Sequence, residues 1–282
     1  MLGSGCSDSG QALDPAAQLS WGWQQYRTGE YNQAARAFES ALQSPQTSEE
    51  HIKALYGLGT VWSLRAPGPD PAKAAGYFHQ VIEQNPKHDL AAWSQLALAR
   101  MKHLAPVGTE PDYAEVRQAY QVCIDSFPGH LASQEAFILQ QSTYVATLKP
   151  EDAQKAIDAL QGFIKSQPRS GFVSPAYMLL SEAYTVLSQM DTALASRVSA
   201  LESAERDVDS GQDKAIDYWK VAVIAEFDAG DFKIARKFYR ALIDEYPTDM
   251  RVYGAKLALK RMDTVEAKLR AGEPVSAEGS EK

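Results

Sequence analysis

Residues 230–247 read GDFKIARKFYRALIDEYP, and this stretch decides the fold. After Gly230 a small residue, Ala235, is followed four positions on by a bulky one, Tyr239, then by Leu242 and finally by Pro247. Side chains three or four apart share one face of an α-helix, so this spacing predicts a helix with one apolar stripe and a small residue where a neighbour comes close. The frame returns at Ala34, Phe38 and Ala41 after Gly29, and again at Ala74, Phe78, Val81 and Pro86. A unit of this size cannot bury its own apolar face, so repetition predicts stacked helical hairpins with an extended concave surface.

The remaining sequence divides on the same pattern. A first hairpin is expected from Pro15 to Ser44, turning at Thr28-Gly29-Glu30, and its first helix carries Trp21-Gly22 and Tyr26. Leu58-Gly59 and Trp62 repeat that arrangement in the second unit. A glycine inside a helix costs about 0.5–1 kcal/mol relative to alanine, which makes sense where another helix approaches closely. A third unit pairs the region of Trp93 and Leu96 with Tyr113, Val116, Tyr120 and Cys123, closing at Pro128. Phe137 and Tyr144 precede Ala156, Leu160, Phe163 and Pro168 in a fourth. The fifth has Tyr177, Leu180 and Tyr184 before Ala193, but Arg197 takes the aromatic position. Trp219 opens the sixth, and the basic, amphipathic segment after Pro247 is expected to cap the array.

These residues resemble the tetratricopeptide repeat, whose pattern is W-x2-L-G-x2-Y, then A-x3-F, then P. The resemblance implies an all-α fold, a right-handed superhelical array (α-solenoid) of about six hairpins plus a C-terminal capping helix. The expected organisation is a leader over 1–15, the array over 16–248, the capping helix over 249–271 and a disordered tail over 272–282. In this family the concave wall is lined mainly by the first helix of each hairpin. Transferred onto this register, the resemblance places Trp23, Tyr26, Arg27, Lys53, Tyr56, Thr60, Met101, Lys102, Ile138, Ser142, Met178, Glu182, Lys220, Ile224 and Phe227 on that wall. The carboxylate-clamp variety of the family does not match, because Leu19 and Trp23 stand where the first unit's Lys and Asn belong.

The opening MLGSGCSDSG resembles the end of a bacterial lipoprotein signal, with Ser4 and Gly5 before Cys6. That resemblance implies lipidation of Cys6, a tether through Pro15 and, from Ser7 in place of an aspartate, the outer membrane. The alternative is a Gly/Ser-rich leader and a soluble cytoplasmic adaptor. The junctions in FIKSQPRSGFVSPAYMLLSEAY and ALIDEYPTDMRVYGAKLAL also resemble those of bacterial envelope tetratricopeptide proteins. No later stretch is apolar enough to span a bilayer.

Composition narrows the functional classes. The chain has 282 residues, 45% hydrophobic and 23% charged, enough to bury a substantial core. A formal charge of -8 argues against nucleic acid, whose binding rests on clustered Lys and Arg. The five histidines, His51, His79, His88, His103 and His130, lack the i, i+4 spacing of a metal site and read as surface or interhelix residues. Cys123 occupies an apolar helix position and reads as a small buried hydrophobe, with no disulfide to Cys6. No phosphate loop, dinucleotide fingerprint or nucleophile elbow occurs. The acidic run 207–213 lacks calcium-loop spacing and reads as a linker with Asp213 capping the next helix. The sequence therefore predicts a non-catalytic scaffold without cofactor or metal, binding a protein or peptide in its concave groove, with the membrane reached only through Cys6. A helical enzyme or small-ligand receptor using pockets between repeats is the competing class.

Overall fold

The computed structural model describes residues 14–43, 47–65, 68–104, 108–204 and 214–272. The expectations for Cys6, for Asp213 and for the tail beyond Gly272 fall outside those residues. Among the described residues all the regular structure is helical, in thirteen α-helices of an all-α solenoid class. The chain divides into two compact units, 1–143 and 144–282.

The first unit contains α1 (Pro15–Arg27), α2 (Tyr31–Gln43), α3 (Ser48–Thr60), α4 (Pro71–Gln84), α5 (Asp89–His103), α6 (Tyr113–Ser126) and α7 (Leu131–Val145), with the division falling in the last turn of α7. From α1 to α6 each helix packs on the next, and α7 joins α5 and α6 in one cluster through Ala132 and Ala136. Gly29 turns the first hairpin with φ +85, a left-handed conformation that suits a residue without a Cβ. Phe38 on α2 is fully buried between α1 and α3 and joins Leu19, Ala34, Ala54, Leu58 and Val61 in one cluster. Burying such a ring contributes about 1.5–3 kcal/mol. Phe78 and Tyr120 are fully buried at the corresponding places on α4 and α6, as the A-x3-F spacing requires. A π-helical turn, Val61–Arg65, extends α3.

The second unit contains α8 (Pro150–Ser166), α9 (Val173–Val186), α10 (Met190–Ala204), α11 (Ala215–Val223), α12 (Phe232–Glu245) and α13 (Val252–Ala271). A second π-helical turn, Ile224–Asp228, extends α11. Its carboxylate Glu226 is only 7% exposed, accepts a hydrogen bond from the Tyr239 hydroxyl at 2.9 Å and one from Arg261 Nε at 2.8 Å, and is ion-paired with Arg261 Nη2 at 2.6 Å. Burial and the neighbouring Glu226 push the Tyr239 phenol far above its ordinary value. α13 packs on α12 through Val252, Ala255, Ala258 and Met262. Arg236 of α12 reaches across to Asp263 and Glu266 of α13, both at 2.8 Å.

One junction recurs through both units. Asn85-Pro86-Lys87-His88, Phe127-Pro128-Gly129-His130, Gln167-Pro168-Arg169-Ser170 and Tyr246-Pro247-Thr248-Asp249 each form a turn in which the fourth residue's N–H donates to the first residue's carbonyl at 3.0–3.1 Å. Proline fits the second position of such a turn because its φ is already set. The fourth side chain then accepts a backbone N–H from the start of the next helix: Leu90 to His88, Ala132 to His130, Phe172 to Ser170 and Arg251 to Asp249. Satisfying those otherwise unpaired donors is what caps a helix. Three of the second helices, α4, α6 and α12, are capped by aspartates instead, Asp70, Asp112 and Asp231.

Candidate binding groove

In the first unit the N-terminal parts of α1, α3 and α5 enclose a groove of about 760 Å³. Its walls are apolar where α1 faces α3, at Leu19, Trp23 and Tyr56, and polar at the helix starts, with Glu49, Glu50, Lys53, His88 and Asp89. Helical register explains the apolar wall: Ala16, Leu19 and Trp23 lie three and four apart on α1. The Trp23 ring is held edge-on by Phe38 at 5.1 Å and by Tyr26 at 5.6 Å, and tilts against Tyr56 at 6.2 Å. Burial raises the Tyr56 phenol above its ordinary value, so its side chain enters the groove uncharged.

The polar end is ordered by capping. Thr47 accepts from the Glu50 N–H while the Glu50 carboxylate accepts from the Thr47 N–H at 2.8 Å, a reciprocal box that starts α3. Those bonds from Thr47 hold the Glu50 carboxyl below its usual range. Glu49 is lowered by Lys53 at 2.9 Å and next by His88 at 2.8 Å. Because His88 Nδ1 accepts from the Leu90 N–H, Nε2 carries the proton that it donates to Glu49. His130 repeats the device one hairpin on, accepting from the Ala132 N–H and donating Nε2–H to Asp89 at 2.8 Å. Two of the histidines read from the sequence as surface or interhelix residues are therefore interhelix caps.

Of the wall residues expected from the sequence, Trp23, Lys53 and Tyr56 come together in this groove, with Tyr26 against Trp23. Thr60 sits one turn beyond Tyr56 and gives its hydroxyl to the Tyr56 carbonyl at 2.9 Å. Arg27 is exposed at the far end of α1. Met101 and Lys102 close α5, where Lys102 pairs with Glu115. In the second unit Met178 and Glu182 lie on α9, and Lys220 is exposed on α11. Phe227 is 63% exposed with the Arg261 guanidinium 5.0 Å above its ring. Sequence reasoning missed Ser20, Glu49, Glu50, His88 and Asp89. Only the Thr47-x-x-Glu50 box signalled a helix start there, since the others are set by how neighbouring hairpins align. Cys123 is fully buried, its Sγ 3.8 Å from the Ala92 carbonyl, and burial raises its thiol to about 12.

Stacked hairpins, the Phe38 ring wedged against Gly22, and a proline turn before α5, α7, α9 and α13 describe a helical-repeat fold of the tetratricopeptide kind. The tetratricopeptide-repeat family model matches residues 218–249, which run from Tyr218 through α12 to the Pro247 junction. Residues 218–249 thus carry a tetratricopeptide repeat, and the chain around them has an all-α helical-repeat fold. Two solved structures share the fold. PilW, described as a widely conserved type IV pilus biogenesis factor, is 16% identical with a TM-score of 0.55, covering 85% of this chain and 97% of its own. The RpL4 assembly chaperone Acl4 is 13% identical with a TM-score of 0.53, covering 92% of this chain and 100% of its own. No curated protein matches the sequence.

Proposed function

We propose that this protein is a non-catalytic interaction scaffold that seats an extended segment of a partner protein in the groove between α1, α3 and α5. The observation that carries the reading is the juxtaposition of an apolar wall, Leu19, Trp23 and Tyr56, with a rim of Glu49, Glu50 and Asp89 against the single Lys53. Aromatic side chains supply much of the energy of protein interfaces, and an acidic rim selects a basic neighbour. The matching segment carries an apolar side chain beside a Lys or Arg.

Trp23 also packs between hairpins, so its removal perturbs the fold as well as the groove. Ser20 is exposed at the groove and makes the cleaner test. Peptides selected from a displayed random library should share an apolar-basic pair, and Ser20→Trp should weaken them at least tenfold with unchanged helicity. Asp89→Lys should reverse the charge preference. Selected peptides indifferent to both substitutions would refute the groove.

The envelope reading is part of the same proposal. It draws on the lipoprotein-like residues around Cys6 and on the likeness in fold to a pilus biogenesis factor. Labelled palmitate should enter the wild-type protein expressed in bacteria and be lost in Cys6→Ser; label retained by the variant would remove the anchor.

A further inference from the structure

The outer face of α13 carries an apolar stripe that no described helix covers. Tyr253 and Leu257 stand six and ten residues past the junction proline Pro247. At the same distances past Pro86 stand Ala92 and Leu96, both fully buried in the cluster that holds Tyr120 of α6. On α5, then, these positions meet the second helix of the same hairpin. On α13 Tyr253 is 72% exposed and Leu257 45% exposed. The opposite face of α13, through Ala255 and Met262, is the one that meets α12. α13 is thus built as the first helix of a hairpin whose second-helix position stands open among the described residues.

The charges around the stripe select what fits there. Lys256 and Lys260 lie beside Tyr253 and Leu257 at helical spacing, are exposed, and make no ion pair among the described residues. The acids of α13 are already engaged, Asp263 and Glu266 by Arg236, while Arg261 is committed to the buried Glu226. What remains on the outer face of an otherwise acidic protein is apolar and cationic. A second copy of α13 would bring Lys256 and Lys260 against their own counterparts. We infer that this face receives an acidic amphipathic helix from a partner protein, which docks as the second helix of a hairpin completed in trans. The occupant has small and apolar residues at the spacing of Ala235, Tyr239 and Leu242, and Glu or Asp along its flanks. Helix-in-groove recognition uses the same anchoring periodicity.

The test uses the full chain and two fluorescent helical peptides that share the apolar pattern of α12, one flanked by glutamates and the other by lysines. Anisotropy should show the glutamate peptide binding at least tenfold more tightly, with affinity falling as salt rises. Leu257→Glu should weaken it at least tenfold, and the pair Lys256→Glu and Lys260→Glu should reverse the preference between peptides. Ser20→Trp, in the other unit, should leave this binding unchanged, which separates it from the groove proposed above. Equal binding of the two peptides, or binding indifferent to Leu257→Glu, would overturn the inference. So would a dimer seen by sedimentation velocity that Leu257→Glu abolishes, since the occupant would then be a second copy. A tenfold gain in peptide affinity on changing Glu273, Glu278 and Glu281 to Lys would instead name the chain's own end as the occupant and also overturn it. The same holds if the peptides fail and the two lysines prove necessary for co-sedimentation with vesicles containing phosphatidylglycerol.

Discussion

The ring of Phe38 stands where a Cβ on Gly22 would have to be, with Cε1 2.6 Å from that position. The same ring comes within 2.8 Å of a Cβ on Gly57, so one fully buried aromatic is clamped between the glycines of two successive first helices. Phe78 repeats the contact at Gly59, 2.6 Å from its Cβ position.

Replacing Gly22 by alanine therefore sets two effects against each other. Alanine is the better helix former by about 0.5–1 kcal/mol, while overpacking a filled core costs about 1–3 kcal/mol. Because the clash is with a buried ring that has nowhere to move, Gly22→Ala should lower stability in a denaturant titration. Gly162 on α8 is exposed and has nothing within 4 Å of its Cβ position, so Gly162→Ala should raise stability by about 0.5–1 kcal/mol. Equal effects at the two sites would contradict the wedge.

The buried carboxylate of Glu226 should make its partners costly to remove. Arg261→Ala leaves a desolvated charge with only the Tyr239 hydroxyl, and breaking such a pair costs about 3 kcal/mol or somewhat less here because Arg261 is half exposed. Adding Glu226→Gln to Arg261→Ala should recover much of the loss, since a neutral amide no longer requires the cation. A thermodynamic cycle over the single and double variants measures this coupling.

Cys123 should be inert while the protein is folded. Its thiol is buried and raised to about 12, so the reactive thiolate is scarce at pH 8. In a Cys6→Ser background, a thiol reagent should label Cys123 only at the rate of unfolding and immediately in denaturant. Rapid labelling of the native protein would show that α5, α6 and α7 do not close over it.

His88→Ala removes both the cap on α5 and the donor to Glu49 and should cost about 0.5–2 kcal/mol, with His88→Asn restoring the cap but not the bond to α3. The pH dependence has a definite sign. The folded-state value of Glu49 lies below its ordinary one, so its contribution is fully present above the unfolded value and is lost as pH falls through the lower folded one. Stability profiles of wild type and Glu49→Gln should converge at the acid end, separate as pH rises from the lowered folded value of Glu49 to its ordinary one, and run parallel above that.

The hairpins were legible because their signals are local. Ala235, Tyr239, Leu242 and Pro247 lie within a few turns, and so do Gly22 and its repeat at Gly59. Arg197 was readable as a break in the pattern, and Arg197 is only half-buried where Phe38, Phe78 and Tyr120 are fully enclosed. The groove was legible in part, through Trp23, Lys53 and Tyr56. Its polar end was not, because His88 reaches Glu49 and His130 reaches Asp89 across distances in sequence that no helical period encodes.

The sequence by itself determined which residues form helices, where each hairpin turns and which face of each helix is apolar, since those follow from periodicity, proline and glycine within a single unit. Tertiary structure alone decided which helix starts converge on the groove, that Glu226 is buried beside Arg261, and that no helix among the described residues covers Tyr253 and Leu257. Those outcomes depend on the packing of one hairpin against the next, where the presence or absence of a neighbour settles whether the same periodic stripe becomes core or surface.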